Sequence, residues 1–111
     1  MAEARYEVTL AADAEADLVS IGAYLAELGS PEIAAKWLAK FLDAIESLEQ
    51  FPERGSKPMD FEATPHRTYR QLSLRPYRIF YRTEGKTVVV ALIADGRRDL
   101  KSLLRHRLLS R

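Results

Sequence analysis

The spacing of apolar residues changes once along this 111-residue chain, and that change constrains the fold more than any other feature. Between about residues 18 and 48 the apolar residues recur every three or four positions, as on one face of an α-helix. From residue 69 they recur every second position, as on one face of a β-strand. Residues 52–66 separate the two regions and contain three prolines and one glycine, which is typical of a loop. The sequence therefore predicts a helical layer followed by a sheet.

The helical region contains the start and stop signals of two helices. Asp13 is a suitable N-cap for the first helix, and Gly29 is placed to end it. Ser30 and Pro31 suit the N-cap and first turn of the second helix, which should end near Gln50 because a proline follows two residues later. Since the link between the helices is so short, they should form an antiparallel hairpin.

Alternating patterns predict one strand before the helices, over residues 6–10, and three strands after them. The later strands are expected over residues 69–74, 77–83 and 87–94, with links short enough for consecutive hairpins. Residues 88–93 are apolar on both faces, so the last strand should lie inside the sheet.

Leucines at positions 100, 103, 104 and 108 predict a final amphipathic helix, whose other face carries Lys101, Arg105 and Arg107. The element order is then β-α-α-β-β-β-α, which defines an α+β fold in a single domain over residues 1–111. The hairpin and the sheet should pack together, because each has one apolar face to bury.

Composition narrows the class of protein. The chain has no cysteine and only two histidines, His66 and His106, far apart in sequence, so neither a disulfide nor a metal site is expected, and no cofactor is implied. No apolar run approaches the roughly 20 residues that span a bilayer, and the N-terminus does not resemble a signal peptide. We expect a small cytoplasmic protein.

The net charge of +1 hides a strong asymmetry between the two halves of the chain. Residues 1–62 contain 5 Lys or Arg against 13 Asp or Glu, whereas residues 63–111 contain 12 against 3. A basic half on a globular domain suits an acidic or polyanionic partner. The alternative is that these arginines only neutralise the acidic helices of the same domain.

The predicted central strand places its basic residues on one face. Tyr77, Ile79 and Tyr81 should cover the helices, which leaves Arg78 and Arg82 on the open face, with an aromatic residue between them. Two arginines around an aromatic ring suit a nucleic acid, and they also suit a protein partner. The candidate target-binding residues are Arg70, Arg75, Arg78, Phe80, Arg82, Arg97, Arg98, Lys101 and Arg105.

Simpler roles remain open for several of these residues. Arg82 could be an ordinary solvated arginine, and the run from Arg97 to Asp99 could form a local ion pair at a helix start. His106 is expected on an outer or flanking face of the last helix, where a general-acid role is the less favoured interpretation.

Four segments in this order resemble the RelE/ParE superfamily, the toxins of bacterial type II toxin–antitoxin systems. They are Phe51-Pro52-Glu53-Arg54-Gly55, Thr68-Tyr69-Arg70-Gln71-Leu72, Pro76-Tyr77-Arg78-Ile79-Phe80-Tyr81-Arg82 and Asp95-Gly96-Arg97-Arg98-Asp99-Leu100. The resemblance spans nearly the whole chain. It implies a helical hairpin packed on a small, twisted, mainly antiparallel sheet, and a cognate antitoxin that wraps the toxin in a hetero-oligomer.

The resemblance also implies one of two targets. RelE-like members cleave messenger RNA on the ribosome, whereas ParE-like members poison DNA gyrase without recognised catalytic residues. Of the RelE-like catalytic positions, two carry over as Arg78 and Arg98, and Arg70 is the nearest candidate for the lysines of the preceding strand. The position of the RelE-like C-terminal tyrosine falls on Leu104, which cannot transfer a proton, and His106 is about 200° further round a helix.

The resemblance therefore favours a ParE-like toxin that acts by binding gyrase rather than by catalysis. A ribosome-dependent endoribonuclease using Arg78, Arg98 and Arg70 is the first alternative. The second is a non-toxic domain that serves only as a partner in an antitoxin–DNA complex. Basic residues on the sheet could also bind an acidic antitoxin segment.

Overall fold

The computed structural model describes residues 5–58, 69–96, 102–103 and 106–107. Residues 102, 103, 106 and 107 are α-helical, within the predicted final helix. The remaining elements follow the predicted order. They are β1 (Glu7–Leu10), α1 (Ala12–Leu28), α2 (Pro31–Glu46), a 3₁₀ turn (Ser47–Glu49), β2 (Arg70–Leu74), β3 (Tyr77–Glu84) and β4 (Thr87–Asp95).

The four strands form one sheet in the order β1-β4-β3-β2. The β2–β3 and β3–β4 pairs are antiparallel, and β1 pairs with β4 in parallel. The predicted α+β fold is confirmed, with a mainly antiparallel sheet and β4 inside it. Because β1 pairs only with residues 87–90, the C-terminal half of β4 extends beyond its neighbour.

The helix boundaries follow the local signals, with one exception. Ser30 is the N-cap of α2, and its Oγ accepts a hydrogen bond from the Ile33 backbone N–H at 3.2 Å. The prediction of Asp13 as the N-cap of α1 is wrong, because the helix begins at Ala12 without a side-chain cap. Asp13 instead lies in the first turn, where its charge suits the helix dipole. No helix in the described ranges is both long and apolar enough to cross a bilayer.

The main core lies between the helical hairpin and one face of the sheet, which we call the inner face. Phe41, Ile45 and Leu48 from the end of the hairpin pack there against strand residues such as Ile79 and Val90. The helical and the strand periodicities therefore meet in one apolar layer, as the two patterns predicted.

The opposite face of the sheet, which we call the outer face, also buries apolar side chains. A β-bulge in β4 contributes to this apolar outer face. Val90 pairs with Tyr81 and Leu92 pairs with Phe80, which leaves Ala91 as the extra residue. The outer face buries a second cluster, against which Leu103 of the C-terminal helical residues packs. Its members are Tyr69, Phe80, Ala91, Leu92 and Ala94.

Candidate functional site on the outer face of the sheet

The orientation predicted for β3 is confirmed. Tyr77, Ile79 and Tyr81 all belong to the inner-face core, so strand alternation places Arg78 and Arg82 on the outer face. Both arginine side chains are half-buried rather than fully extended into solvent. The surface around them is the candidate site.

Phe80 lies between these arginines but is not exposed, so the expected open aromatic ring is wrong. Its relative accessibility is 0%, because it belongs to the outer-face cluster against which Leu103 packs. A ring in this position cannot stack on a base. Instead, the guanidinium of Arg78 packs over the ring, with its carbon 4.8 Å from the ring centroid.

The Arg78 side chain is held by three described neighbours. Its Nε donates a hydrogen bond of 2.5 Å to Oε1 of Gln71, and its guanidinium lies over Phe80. Its aliphatic stem passes Gly96 so closely that a Cβ at that position would lie 3.0 Å from Cδ. The glycine of the Asp95-Gly96 turn therefore leaves room for Arg78.

Arg82 is held differently, because a carboxylate partly neutralises it. Its Nε donates to Oε2 of Glu84 at 2.5 Å, and its Nη1 donates to the Tyr69 hydroxyl at 3.2 Å. Burial alone would lower the pKa of Arg82, but the interactions with Glu84 and Tyr69 outweigh burial and raise it. Arg82 therefore belongs to a local network with Glu84 and Tyr69.

Arg70 does not join the two arginines of β3. It is directly opposite Tyr81 in the β2–β3 ladder, and Tyr81 lies in the inner-face core, so Arg70 is on the other side of the sheet. Its Nη1 donates to the Gly55 carbonyl oxygen at 2.7 Å and lies 3.4 Å from that of Glu53. Arg70 therefore anchors the segment after α2 and lies on the opposite face of the sheet from Arg78.

Gly55 lies at the centre of a set of contacts that attach the segment after α2 to the sheet, and the sequence analysis did not predict them. Its backbone N–H donates to the Tyr81 hydroxyl at 3.0 Å, and the next residue, Ser56, forms a β-bridge with Gln71. Burial raises the pKa of Tyr81, although the Gly55 hydrogen bond and the charge of Arg70 act in the opposite direction. The only signal in the sequence is the glycine inside the Phe51–Gly55 segment.

A second unpredicted contact joins the C-terminal helical residues to α1. Nη2 of Arg107 donates to the Asp17 carboxylate at 2.6 Å, and the side chains are 22% and 13% exposed. The same carboxylate accepts the Ile93 backbone N–H at 3.0 Å, on the part of β4 beyond the β1 pairing. The hydrogen bond to Asp17 raises the pKa of Arg107. Arg107 is thus a structural residue, not a freely solvated one.

The remaining candidates are divided between the described residues and the rest of the chain. Arg75 is exposed in the turn between β2 and β3, and His106 is exposed on a helical turn, as predicted for it. Arg97, Arg98, Lys101, Leu104 and Arg105 lie outside the described residues. Among the residues that are described, no group of three His, Asp or Glu side chains could hold a metal ion.

This combination of a helical hairpin, a four-stranded mixed sheet and an arginine-bearing outer face defines a small α+β protein of the RelE/ParE type. The family described as the ParE toxin of type II toxin–antitoxin system, parDE, matches residues 8–100. Since that match covers most of the sequence, the chain belongs to this toxin family. No curated protein matches it significantly.

Two solved structures have a similar fold. A chain of the chromosomal ParDE toxin–antitoxin system from P. aeruginosa is 24% identical, with a TM-score of 0.69, and the match covers 82% of this chain and 96% of that one. A chain of the RelBE2 toxin–antitoxin complex from Mycobacterium tuberculosis is 23% identical, with a TM-score of 0.58 and coverages of 85% and 94%. At these identities the similarity concerns the fold.

Proposed function

We propose that this chain inhibits bacterial growth by binding DNA gyrase and trapping it on cleaved DNA. The contact surface is the outer face around Arg78, extended by Arg75 and by the basic residues of the C-terminal segment. Membership of the ParE toxin family supports growth inhibition. The choice of gyrase depends on the chemistry available around Arg78.

The observation that carries this proposal is the set of neighbours of Arg78. Gln71, Phe80 and Gly96 position the side chain, and none of the three has a group that exchanges protons near neutral pH. By the resemblance to RelE-like toxins, Leu104 takes the position of their C-terminal tyrosine. An arginine positioned by such groups suits binding of an anion better than cleavage of a phosphodiester.

We further propose that a cognate antitoxin neutralises the toxin in a hetero-oligomer. Both similar structures belong to toxin–antitoxin systems, and the helical hairpin exposes large apolar side chains that a partner could cover. They are Val19, Tyr24, Leu28, Ile33 and Leu42. The Leu28→Asp variant should remain folded and lose affinity for the antitoxin encoded beside this gene, as measured by calorimetric titration, whereas Lys36→Ala should bind normally.

The test of the target is expression of the toxin alone, scored by two assays. We expect growth arrest with covalent gyrase–DNA complexes in the cells, and loss of supercoiling by purified gyrase. The Arg78→Ala variant should abolish both effects, while Lys36→Ala, which removes an exposed charge from α2, should abolish neither.

Two other results would replace this proposal. Cleavage of ribosome-bound message with normal gyrase supercoiling would establish the endoribonuclease alternative. Its candidate catalytic residues are then Arg78 and Arg98, since Arg70 lies on the opposite face of the sheet from Arg78. Unimpaired growth at full expression would favour the non-toxic partner domain. In that case, the purified complex with the antitoxin should still bind operator DNA.

A further inference from the structure

We propose that the free edge of β2, the edge that faces away from β3, binds the extended C-terminal residues of a partner chain. The terminal carboxylate of that chain lies beside Arg54. This inference goes beyond the proposed function and does not depend on it, because it uses neither the arginines of the outer face nor the exposed apolar residues of the hairpin.

β2 is the last strand of the sheet, and Ser56 is the only described residue that pairs with its free edge. The Gln71 backbone N–H donates to the Ser56 carbonyl oxygen at 2.8 Å, and the Gln71 carbonyl oxygen accepts from the Ser56 N–H at 3.1 Å. Since successive residues of a strand turn these groups to alternate edges, the N–H and C=O of Ser73 also face the free edge. Ser73 is exposed, so both groups are accessible to a further strand.

The segment before Ser56 does not extend along the edge as far as Ser73. In the antiparallel register that joins Ser56 to Gln71, Arg54 would lie opposite Ser73. The Arg54 backbone N–H instead donates to the Phe51 carbonyl oxygen at 3.2 Å, so the chain turns away at this point. The hydrogen-bonding position at Ser73 is therefore open, whereas the next position along the edge is occupied by Ser56.

A cleft of about 300 Å³ lies beside this part of the edge. Its apolar lining comes from Leu72 and Leu74, on the inner face of β2, and from Ala44 of α2. The volume is at the lower end of the range for ligand pockets, roughly 300–1,000 Å³, so it suits a short segment. In a strand paired with Ser73, the residues before and after the paired one would both face this apolar lining, because alternate side chains share a face.

Arg54 is the one charged residue among the described residues that line this cleft. Its Nη1 donates to Oγ of Ser47 at 2.8 Å, a neutral acceptor that orients the guanidinium without opposing its charge. An antiparallel segment, the more stable arrangement, would run with its C-terminal end towards Ser56 and must end there. A chain that ends at this point places its α-carboxylate beside Arg54, where a charge-assisted hydrogen bond forms.

The ligand probe is the acetylated peptide Thr-Val-Thr-Val with a free C-terminus, and three modified peptides isolate its contacts. Its second threonine pairs with Ser73, so that the valines face Leu72 and Leu74. A C-terminal amide removes the charge that faces Arg54. N-methylation of the second threonine removes the N–H that binds the Ser73 carbonyl oxygen, whereas N-methylation of the first valine removes an N–H that points away from the edge.

The measurement is a nuclear magnetic resonance titration of the ¹⁵N-labelled toxin with each peptide. The free-acid peptide should shift the Ser73 amide proton downfield and saturably, because that proton gains a hydrogen bond. The C-terminal amide should bind about tenfold more weakly, the effect of losing a hydrogen bond to a charged group. N-methylation of the threonine should abolish binding, and N-methylation of the valine should not.

Two protein variants provide a matched comparison for the carboxylate contact. Arg54→Gln should bind the free acid and the amide with equal affinity, because the charge that distinguishes them is gone. Lys57→Gln, which removes an exposed charge from outside the cleft, should keep the preference of the wild type for the free acid.

Several outcomes would overturn the inference. Absence of saturable shifts, or shifts confined to the hairpin or the outer face, would show that the free edge is not the binding site. Equal binding of the two N-methylated peptides would exclude strand pairing, and equal affinity of the wild type for the acid and the amide would exclude the carboxylate contact. An amidated peptide ending in aspartate that binds as tightly as the free acid would show that a chain end is not required. These comparisons use the unaltered protein, so they hold even if a variant fails to fold.

Discussion

Gly55 lies where the segment after α2 passes against the edge of the sheet, and the approach is too close for any side chain. A Cβ at this position would lie 2.6 Å from the Gln71 carbonyl oxygen and 2.7 Å from the Tyr81 hydroxyl oxygen. Gly55→Ala should therefore destabilise the protein by about 1–3 kcal/mol, the usual cost of overpacking. Thermal unfolding followed by circular dichroism measures the loss.

A second glycine provides the matched control for this substitution. A Cβ on Gly22, inside α1, would meet only Leu38 at an ordinary distance of 3.5 Å. Gly22→Ala should stabilise the protein by roughly 0.5–1 kcal/mol, because alanine is the better helix former. Equal melting temperatures for Gly55→Ala and the wild type would contradict the close approach.

The Tyr81 hydroxyl should make a pH-dependent contribution to stability. In Tyr81→Phe the buried Gly55 N–H loses its acceptor, which should cost about 1–3 kcal/mol near neutral pH. Burial raises the pKa of Tyr81 above its ordinary value of 10.0. The unfolded chain therefore loses this proton first as the pH rises, and the contribution of the hydroxyl falls above about pH 10.

Urea denaturation of the wild type and of Tyr81→Phe between pH 7 and pH 11 tests this expectation. The difference in unfolding free energy between the wild type and Tyr81→Phe should be constant up to about pH 9 and then shrink. Titration of other groups largely cancels in the difference. A difference in unfolding free energy that grows with rising pH would contradict this expectation.

At the scale of elements, Asp17 joins three parts of the chain that are far apart in sequence. Its carboxylate on α1 receives the Ile93 N–H of β4 and the guanidinium of Arg107. Asp17→Ala should destabilise the protein more than Arg107→Ala, because only the first leaves the β4 N–H without its acceptor. A double-mutant cycle should give a coupling energy of about 0.5–3 kcal/mol, within the range for residues in contact.

Additive effects of the two substitutions would show that the pair does not hold the C-terminal helical residues against α1. Asp17→Asn is a useful third variant, because it keeps an acceptor for the Ile93 N–H and removes the charge facing Arg107. Its stability should lie between those of the wild type and Asp17→Ala, as measured by the same thermal melts.

The elements were more predictable than the contacts that arrange them. The order of helices and strands, the Ser30 cap and the interior position of β4 follow from local periodicity and from turn chemistry, which act over a few residues. The burial of Phe80 does not follow from local periodicity. It depends on a β-bulge and on Leu103, which packs from another part of the chain. The placement of Arg70 on the inner face was available from the sequence, because alternation within β2 puts it on the same face as Leu72 and Leu74, which belong to the inner-face core.

At the scale of the whole molecule, the charge asymmetry of the sequence becomes a difference between layers. The hairpin and the 3₁₀ turn contain eight acidic and two basic residues, whereas β2–β4 and their turns contain five basic and two acidic residues. The acidic hairpin also forms an ion pair with the C-terminal helical residues, between Asp17 and Arg107. Neutralisation within the domain therefore accounts for some of the basic residues of the chain.

The two layers should unfold together, because the hairpin and the sheet share one apolar core. Trp37 on α2 reports on this contact, since its ring lies 5.9 Å from that of Phe41 and 5.4 Å from that of Tyr77 on β3. It is the only tryptophan in the chain. In urea, the tryptophan fluorescence transition and the far-ultraviolet circular dichroism transition should have the same midpoint and slope.

The Ile45→Ala substitution tests the same cooperativity from the helical side. Ile45 is 4% exposed in the shared core, so its truncation should cost about 2–5 kcal/mol. Both spectroscopic transitions should move to lower urea by the same amount, because loss of packing in one layer removes the support of the other. A fluorescence transition that shifts while the circular dichroism transition stays in place would show that the hairpin and the sheet unfold as separate units.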